Sequence, residues 1–202
     1  MKQYSCSLTW RFDLALQFAS GLHHRQARKG VPIPYIAHLM GVCSLVLEAG
    51  GDEDQAIAAL LHDSVEDQGG LPTLATIRHM FGDRVANTVK SCSDSTVSDP
   101  KKKLGWRKRK ERYLAHLRKA NRDALIVSAA DKLHNARATL SDYRTMGDKL
   151  WKRFNAPQRD QLWYYGALVK TLQQAAAPKT LVKELSRVVE ELTRLAKRPQ
   201  RP

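Results

Sequence analysis

Long apolar runs are missing from this 202-residue sequence. No stretch approaches the roughly 18 apolar residues of a membrane-spanning helix, and residues 1–11 show no apolar core followed by the small-residue cleavage site of a secretory signal. Cysteine is also scarce. The three present, Cys6, Cys43 and Cys92, are an odd number at unrelated spacings. This usage argues against a disulfide framework. We therefore expect a cytoplasmic protein that does not associate with membranes.

Positive charge is absent from one long stretch of the chain. The formal net charge is +14, yet residues 30–77 contain no Lys or Arg and seven carboxylates, so this stretch carries −7 and the rest of the chain +21. An acidic centre within a basic protein could hold a divalent cation and attract polyanions. A solvated basic surface without a specific partner is the alternative, and charge alone leaves it open.

The strict apolar–polar alternation of a half-buried strand is not sustained anywhere, whereas apolar residues recur at helical spacing along most of the chain. We predict an all-α fold, a single bundle of about eight to ten helices. Residues 1–177 are expected to form its main part, and residues 178–202 a C-terminal helix with a short basic tail in the same domain. Asp52 and Thr73 are predicted N-caps, and the polar segment 93–105 is a predicted mobile loop. The predicted helices cover residues 8–24, 38–48, 53–65, 72–81, 85–93, 106–119, 122–143, 157–174 and 178–196.

The segment Leu60–Asp67 (LLHDSVED) joins apolar residues to four titratable ones. On a continuous helix, His62 lies one turn from Glu66 and Asp63 one turn from Asp67, so the four side chains form one polar patch. Buried carboxylates need a compensating charge, and a divalent metal bound by imidazole and carboxylate would supply it. A capped helix end, in which these residues serve only the fold, is the alternative.

His38 and Asp131 could add ligands from two other predicted helices. His38 opens a helix after Pro34, and Asp131 interrupts an apolar helix. With the adjacent His–Asp pair they make a set of two histidines and two aspartates. Taken alone, His38 is equally well explained as an ordinary hydrogen-bonded histidine, and Asp131 as an ion-pair partner of Lys132 or Arg137.

Five motifs resemble, in order and spacing, those of the HD-domain metal phosphohydrolases. The pattern H…HD…D is similar to the metal-binding set of that family. The flanking residues are closer to the small alarmone hydrolases, the stand-alone relatives of the hydrolase half of the Rel/Spo enzymes, which include metazoan SpoT homologues. The resemblance covers about residues 12–172. Its motifs read FA followed by HxxQxRK (18–29), PYIxH (34–38), ALLHDxVED (59–67), FG with a valine (81–85) and ADKLHNxR (130–137).

This resemblance implies a metal-assisted reaction. Glu66 and Asp67 would act on a water and its protons, since a metal lowers the pKa of a bound water and a carboxylate one turn from a ligand can take the proton. For Asp67, a proton shuttle and a structural bond to a neighbouring arginine both stay open. His134 is not expected to be a ligand. The implied cofactor is a single Mn²⁺, held by His38, His62, Asp63 and Asp131.

Substrate contacts are implied in the same way. Arg28 and Lys29 match a nucleotide-holding pair, and Asn135 matches a ribose or phosphate contact. One departure stands out, because Ala138 occupies the position where the family usually carries threonine. The residues implied to bind substrate are Arg28, Lys29, Lys132, Asn135, Arg107, Lys110 and Tyr164.

Residues 101–119 carry ten Lys and Arg and one Glu. We expect Arg107 and Lys110 from this basic segment to meet the terminal phosphates of the substrate. Since Trp106 and Tyr113 lie among the cations, a nucleic-acid surface with bases stacked on these rings is the competing interpretation.

The activity that the resemblance implies is Mn²⁺-dependent removal of the 3′-pyrophosphate from nucleotide alarmones, (p)ppGpp or (p)ppApp. Another HD nucleotide phosphohydrolase, such as an NADPH 2′-phosphatase, and a nucleic-acid-binding regulator on an HD scaffold are the alternatives. The sequence does not distinguish guanine from adenine. We expect a nucleotide substrate and no nucleic-acid or membrane partner, and self-association into a homo-oligomer stays open.

Overall fold

The computed structural model describes residues 6–93 and 104–197. These residues form ten α-helices and one 3₁₀ helix, Gly147–Arg153, and none of them belongs to a β-strand. The predicted all-α class is therefore confirmed. The α-helices are α1 (Trp10–Leu22), α2 (Ile36–Glu48), α3 (Glu53–Leu61), α4 (Ser64–Asp67), α5 (Leu71–Phe81), α6 (Asp83–Cys92), α7 (Trp106–Leu117), α8 (Arg122–Met146), α9 (Gln158–Gln174) and α10 (Lys179–Ala196).

Helix ends follow the glycine, proline and capping residues for the most part. Asp52 caps α3 in a capping box, in which its carboxylate accepts from the Gln55 backbone N–H at 3.0 Å and the Gln55 side chain accepts from the Asp52 N–H at 2.9 Å. The prediction for Thr73 is wrong. Helix α5 begins at Leu71, so Thr73 lies inside its first turn and its hydroxyl donates to the carbonyl of Gln68.

The predicted continuous helix over residues 53–65 is also wrong. Helix α3 ends at Leu61, a two-residue turn follows at His62 and Asp63, and the short α4 continues the chain. Asp63 has φ −95° and ψ −5°, in the sparsely populated bridge region where active-site residues are often found. In a regular helix adjacent side chains diverge by about 100°. The turn instead lets these two side chains converge.

Helix α8 is the centre of the core. Residues 124–131 of α8 are all buried, and the helix packs against α2, α3, α6, α9, α10 and the 3₁₀ helix. Helix α10 lays its apolar side along α8 and α9. The domain boundaries at residues 177 and 178 stay a prediction. The predicted loop 93–105 and the basic tail lie mostly outside the described residues.

The 3₁₀ helix at Gly147–Arg153 was not expected from the sequence. It follows the positive φ of Gly147 (57°), a conformation that ends α8, and it buries Leu150 and Trp151. Among the described residues, no helix combines the length and the apolar character needed to cross a lipid bilayer.

Candidate metal centre and cavity

Three parts of the fold bring the predicted ligand set together. His38 comes from the first turn of α2, His62 and Asp63 from the turn between α3 and α4, and Asp131 from the middle of α8. His62 Nε2 lies 3.0 Å from Asp63 Oδ2, and His38 Nε2 lies 3.3 Å from Asp131 Oδ1. The two remaining cross-distances are 3.5 Å, from His38 Nε2 to Asp63 Oδ2, and 3.6 Å, from His62 Nε2 to Asp131 Oδ1.

These four atoms have the spacing of a ligand set. Ligand atoms at about 2.1 Å from a divalent ion lie roughly 3.0–3.6 Å from one another in tetrahedral or octahedral arrangements. His38, His62 and Asp131 are buried and offer ligand atoms within 4.8 Å of one another. The Asp63 side chain is 23% exposed, on the side where solvent or substrate can approach. The predicted pattern of two histidines and two aspartates thus converges in space.

The imidazole rings are oriented for ligation. The Nδ1–H of His62 donates to the backbone carbonyl of Ala59 at 2.8 Å, and Nδ1 of His38 lies 2.9 Å from Nδ1 of His134. Both Nε2 atoms are buried and make no hydrogen bond with the described residues. A second bond on Nδ1 is how proteins fix the tautomer and ring orientation of a metal-binding histidine. The donor set therefore fits a divalent cation.

The two carboxylates of the cluster favour a positive charge beside them. Burial by itself lowers the pKa of His62, but the carboxylates of Asp63 and Asp131 outweigh it and raise that pKa well above its ordinary value. Burial likewise opposes ionisation of Asp63, yet His62 and His38 hold the pKa of Asp63 well below its usual range. Two ionised carboxylates thus retain a proton on a neighbouring imidazole, and a divalent cation would meet the same need.

Asp131 is held by both of its oxygens. Lys132 Nζ donates to Oδ2 at 2.5 Å and Asn135 Nδ2 donates to Oδ1 at 2.5 Å. Arg28 Nη2 in turn donates to Oδ1 of Asn135 at 2.7 Å. Burial would lower the pKa of Lys132, but the Asp131 carboxylate raises it well above its usual value. Three residues predicted to bind substrate are therefore linked to Asp131.

One aromatic side chain beside the cluster was missed in the sequence. The Tyr35 hydroxyl donates to Asp63 Oδ2 at 2.6 Å, and its ring stacks on His23 with centroids 5.2 Å apart. Burial and the nearby carboxylates raise the pKa of Tyr35, so its hydroxyl keeps the donated proton. The position of Tyr35 in the PYIxH motif, three residues before His38, was the signal that could have revealed it.

His134 was not expected to be a metal ligand, and it is not one of the four converging residues. Its ring contacts His38 instead, with centroids 4.8 Å apart. Burial, together with His38 and Arg28, lowers the pKa of His134 to about 4, so the ring is neutral near pH 7 and its Nδ1 can accept a hydrogen bond. The contact depends on Gly41, because a Cβ there would lie 2.4 Å from His134 Nε2.

The two carboxylates expected to act on water take different places. Glu66 lines the cavity beside the cluster, and Arg109 Nη1 lies 4.0 Å from its Oε1. Asp67 is exposed, is not among the lining residues, and accepts a hydrogen bond from Gln26 Nε2 at 2.8 Å. Of the two, Glu66 has the position from which a carboxylate could reach a water at the cluster.

The cluster opens into a cavity of about 620 Å³. Its lining includes the predicted residues Asn135 and Tyr164, and Ala138 occupies the wall where the family usually has threonine. Cations dominate its charged side chains: Arg28, Lys29, Arg109, Lys110, Lys132 and Arg153. A concave site with a buried titratable cluster and many cations suits an anionic ligand.

Arg107 is not brought to this cavity, so the expectation that it faces the terminal phosphates is not met. Its guanidinium lies 3.1 Å from the ring centroid of Trp163 and pairs with Glu111 at 2.9 Å. Arg109 lines the cavity in its place. Helical phase explains the difference, since Arg109 is three residues after Trp106, which lines the cavity, whereas Arg107 is offset from Trp106 by about 100°.

Of the two aromatic rings on which the nucleic-acid interpretation of α7 rests, one is not available for stacking on bases. Tyr113 is buried and donates to the Ser128 hydroxyl at 3.0 Å. Trp106 packs edge-on against Tyr164 at the cavity, with centroids 5.9 Å apart. Neither ring forms an exposed row with the cations of α7, which single-stranded nucleic acid would need for stacking.

Comparison with known proteins identifies the family. The model of the HD domain family matches residues 15–156. The chain belongs to the HD-domain family. The predicted resemblance is thus confirmed, and the four converging residues all lie within the matched segment.

Several curated relatives carry alarmone-hydrolase names. The chain is 37% identical over 126 residues to the guanosine-3′,5′-bis(diphosphate) 3′-pyrophosphohydrolase MESH1 of Xenopus tropicalis, a match that covers 61% of this chain and 66% of the relative. It is 32% identical over 136 residues to MESH1 of Danio rerio, covering 66% and 71% of the two chains. A probable GTP pyrophosphokinase of Mycobacterium leprae is 34% identical, but the match spans only 15% of that longer protein.

Two solved structures share the fold. One, described as a metazoan ortholog of SpoT that hydrolyzes ppGpp and plays a role in starvation responses, matches with a TM-score of 0.73 and 26% identity over 93% of this chain and 98% of the other. The second, lmo0812 from Listeria monocytogenes, has a TM-score of 0.65 and 27% identity over 78% of this chain and 99% of the other.

Proposed function

We propose that this protein hydrolyses the 3′-pyrophosphate of guanosine or adenosine alarmones, (p)ppGpp or (p)ppApp. The observation that carries this proposal is the convergence of two imidazoles and two carboxylates on the floor of a cavity whose charged lining is mainly cationic. The names of the MESH1 relatives and of the SpoT ortholog support the substrate class.

The reaction that we propose transfers the pyrophosphoryl group to water. The water oxygen forms a bond to the phosphorus attached to the 3′-oxygen, the bond between that oxygen and the phosphorus breaks, and the nucleotide leaves with a free 3′-hydroxyl. Water supplies both protons that the balance requires, one to the 3′-oxygen and one to solvent or to pyrophosphate. Hydrolysis therefore needs no co-reactant beyond the water.

Two carboxylates would handle the protons. We assign to Glu66 the orientation of the attacking water and the acceptance of its proton, because it lines the cavity beside the cluster. Asp67 would act one step further out, with Gln26 holding it by the hydrogen bond of 2.8 Å. Arg109 would restrain the Glu66 carboxylate through their 4.0 Å contact.

The cation in this proposal is Mn²⁺. When bound by His38, His62, Asp63 and Asp131, it would lower the pKa of a coordinated water and polarise a phosphoryl oxygen. Carboxylates suit hard ions and imidazole suits borderline ones, so a mixed set favours Mn²⁺ over Mg²⁺. Lys132, Lys110 and Arg109 would hold the phosphates, and Arg28, Lys29, Asn135 and Tyr164 the nucleoside. A cytoplasmic location is consistent with three free cysteines.

A substrate panel tests the proposal. Purified protein is incubated with ppGpp, pppGpp, ppApp, pppApp and NADPH, with Mn²⁺ and then with a chelator, and released pyrophosphate and phosphate are measured separately. We expect pyrophosphate from the alarmones only, and only with metal. Phosphate from NADPH alone would favour the 2′-phosphatase alternative. Salt-dependent nucleic-acid binding without turnover would favour the regulator.

Substitutions in the cluster and at Glu66 separate metal binding from turnover. Asp63→Ala should abolish both metal binding and turnover, whereas Glu66→Gln should lower kcat by at least 100-fold with metal content retained. Glu48→Gln is the matched control, since it removes one negative charge from the exposed end of α2, outside the cavity lining. A Glu66→Gln protein as fast as the wild type would refute the assignment.

A further inference from the structure

Helix α8 presents one straight row of side chains to the cavity. Asn135, Ala138 and Asp142 line it, and Asp131 accepts a hydrogen bond from Asn135. Intervals of four, three and four residues keep the four on one face of a helix. Asp131 and Asp142 are eleven residues apart, which corresponds to ~16 Å along the axis and an angular offset of ~20°. The row therefore runs from the metal cluster to the opposite end of the cavity.

The two ends of this row differ in chemistry. Around the cluster, Lys132, Arg109 and Lys110 supply positive charge for phosphates. The lining also includes apolar residues that are neighbours in sequence of Gly30 and Arg153, the latter being the partner of Asp142: Val31, Ile33, Leu150 and Phe154. An apolar slot with a few polar groups is the usual environment of a bound ring system. A nucleotide whose 3′-pyrophosphate lies at the cluster would place its base in this slot.

Asp142 is the carboxylate of this slot. Glu66 is the other carboxylate among the cavity-lining residues that the structure describes, and it lies at the metal end. Arg153 Nη1 donates to Asp142 Oδ2 at 2.8 Å, and Arg153 is itself packed against Gly30, where a Cβ would approach its Cδ to 2.8 Å. Gly30 has a φ of 76°. The carboxylate is thus held at the slot by a partner that is fixed in place.

We propose that Asp142 makes this enzyme prefer guanine over adenine. A carboxylate only accepts hydrogen bonds. Guanine presents two adjacent donors, N1–H and the 2-amino group, whereas adenine presents the lone pair of N1 next to its 6-amino group. The Asp142 carboxylate can accept both guanine donors, and it repels the adenine N1. Discrimination of this kind combines an attractive and a repulsive element.

The inference rests on the proposed function, and kinetics with three substrates tests it. The kcat/KM values for ppGpp, ppApp and the inosine analogue ppIpp, which keeps N1–H but lacks the 2-amino group, are measured with wild type and Asp142→Asn. We expect the wild type to prefer ppGpp over ppApp by at least tenfold, with ppIpp between them. Asparagine offers one donor and one acceptor, so Asp142→Asn should reduce the preference at least tenfold.

Controls separate base recognition from damage to the fold. Asp148→Asn neutralises an exposed carboxylate just beyond α8 and should leave the ratio unchanged. Arg153→Gln removes the partner of Asp142 but keeps the carboxylate, so the preference should keep its direction. An unchanged ratio in Asp142→Asn overturns the inference, as does a wild type without guanine preference or a loss of preference only in Arg153→Gln.

Calorimetric binding of GDP and ADP to the metal-free protein keeps this test independent of turnover. We expect tighter binding of GDP to the wild type and similar binding of the two nucleotides to Asp142→Asn. If the wild type cleaves no alarmone, the proposed function fails, and the GDP-to-ADP affinity ratio still decides the role of Asp142. Equal affinities in the wild type would overturn that role.

Discussion

Gly41 lies in the second turn of α2, directly beside the His134 ring, and its replacement by alanine tests how the metal cluster is supported. The new Cβ would lie 2.4 Å from His134 Nε2 and 2.5 Å from Cδ2, whereas ordinary contacts begin near 3.4 Å. The ring must therefore withdraw by about 1 Å. The 2.9 Å contact between the Nδ1 atoms of His134 and His38 would then exceed hydrogen-bond range.

Loss of that contact should weaken metal binding more than it weakens the fold. Removing the outer partner of a metal-binding histidine typically costs 10- to 100-fold in affinity, which is about 1.4–2.7 kcal/mol. Overpacking costs about 1–3 kcal/mol in stability, and the better helix propensity of alanine returns up to about 1 kcal/mol. We expect Gly41→Ala to remain folded and to bind Mn²⁺ at least tenfold more weakly.

Calorimetric titration of the metal-free protein with Mn²⁺ measures this effect, and thermal unfolding monitors the fold. Gly166→Ala is the matched control, because Gly166 lies within α9 and a Cβ there meets no atom within 4 Å. That control should keep its metal affinity. His134→Ala should bind metal as weakly as Gly41→Ala, and combining the two should cost little more. A folded Gly41→Ala protein with wild-type affinity would refute the reasoning.

Three further predictions follow, two from matched pairs of variants and one from the pH dependence of stability. Tyr35→Phe should weaken Mn²⁺ binding about tenfold. Tyr143→Phe also loses a tyrosine–aspartate hydrogen bond but should keep its Mn²⁺ affinity. Equal Mn²⁺ affinities of the two variants in calorimetric titration would contradict this prediction. Arg109→Gln should lower kcat/KM for ppGpp at least tenfold and Arg107→Gln less than twofold, and the reverse order would show that the structural assignment is wrong. A guanidinium hydrogen bond lowers the pKa of Asp123 in the folded protein. The ionised carboxylate therefore adds about 1 kcal/mol to the free energy of unfolding above its unfolded-state pKa of about 3.9, and this stability is lost as the pH falls through the lower folded-state pKa. Urea unfolding of Asp123→Asn should show no such loss.

The sequence was sufficient for the fold class, because helical periodicity is a strongly patterned feature, and it predicted the four residues that the structure brings together. Helical periodicity and glycine or proline breaks set most helix ends within a few residues. His38 and Asp131 stood out because each carries a charge or an imidazole within an otherwise apolar helix. Their convergence, across 93 positions of sequence, followed from the resemblance and not from spacing.

The features that the sequence did not reveal are mainly tertiary contacts. The turn at His62 and Asp63 has no glycine or proline to announce it, and it forms where the two side chains converge on partners from other helices. The contact between His134 and His38 joins residues 96 apart, and its requirement for Gly41 becomes visible only when α2 and α8 pack together. Helical phase could have placed Arg109 at the cavity, since it shares a face with Trp106.

The uneven distribution of charge along the chain acquires a physical role in this arrangement. Residues 30–77 supply three of the four converging residues and Glu66 without a single local cation, so no neighbour in sequence neutralises these carboxylates. The cations that approach the cluster come from other elements, as Lys132 of α8 and Arg109 of α7 do. Both cations also line the cavity, so they add positive charge to its wall. A polyphosphate entering this space would therefore meet positive charge on the walls, and a metal on the floor would complete the attraction.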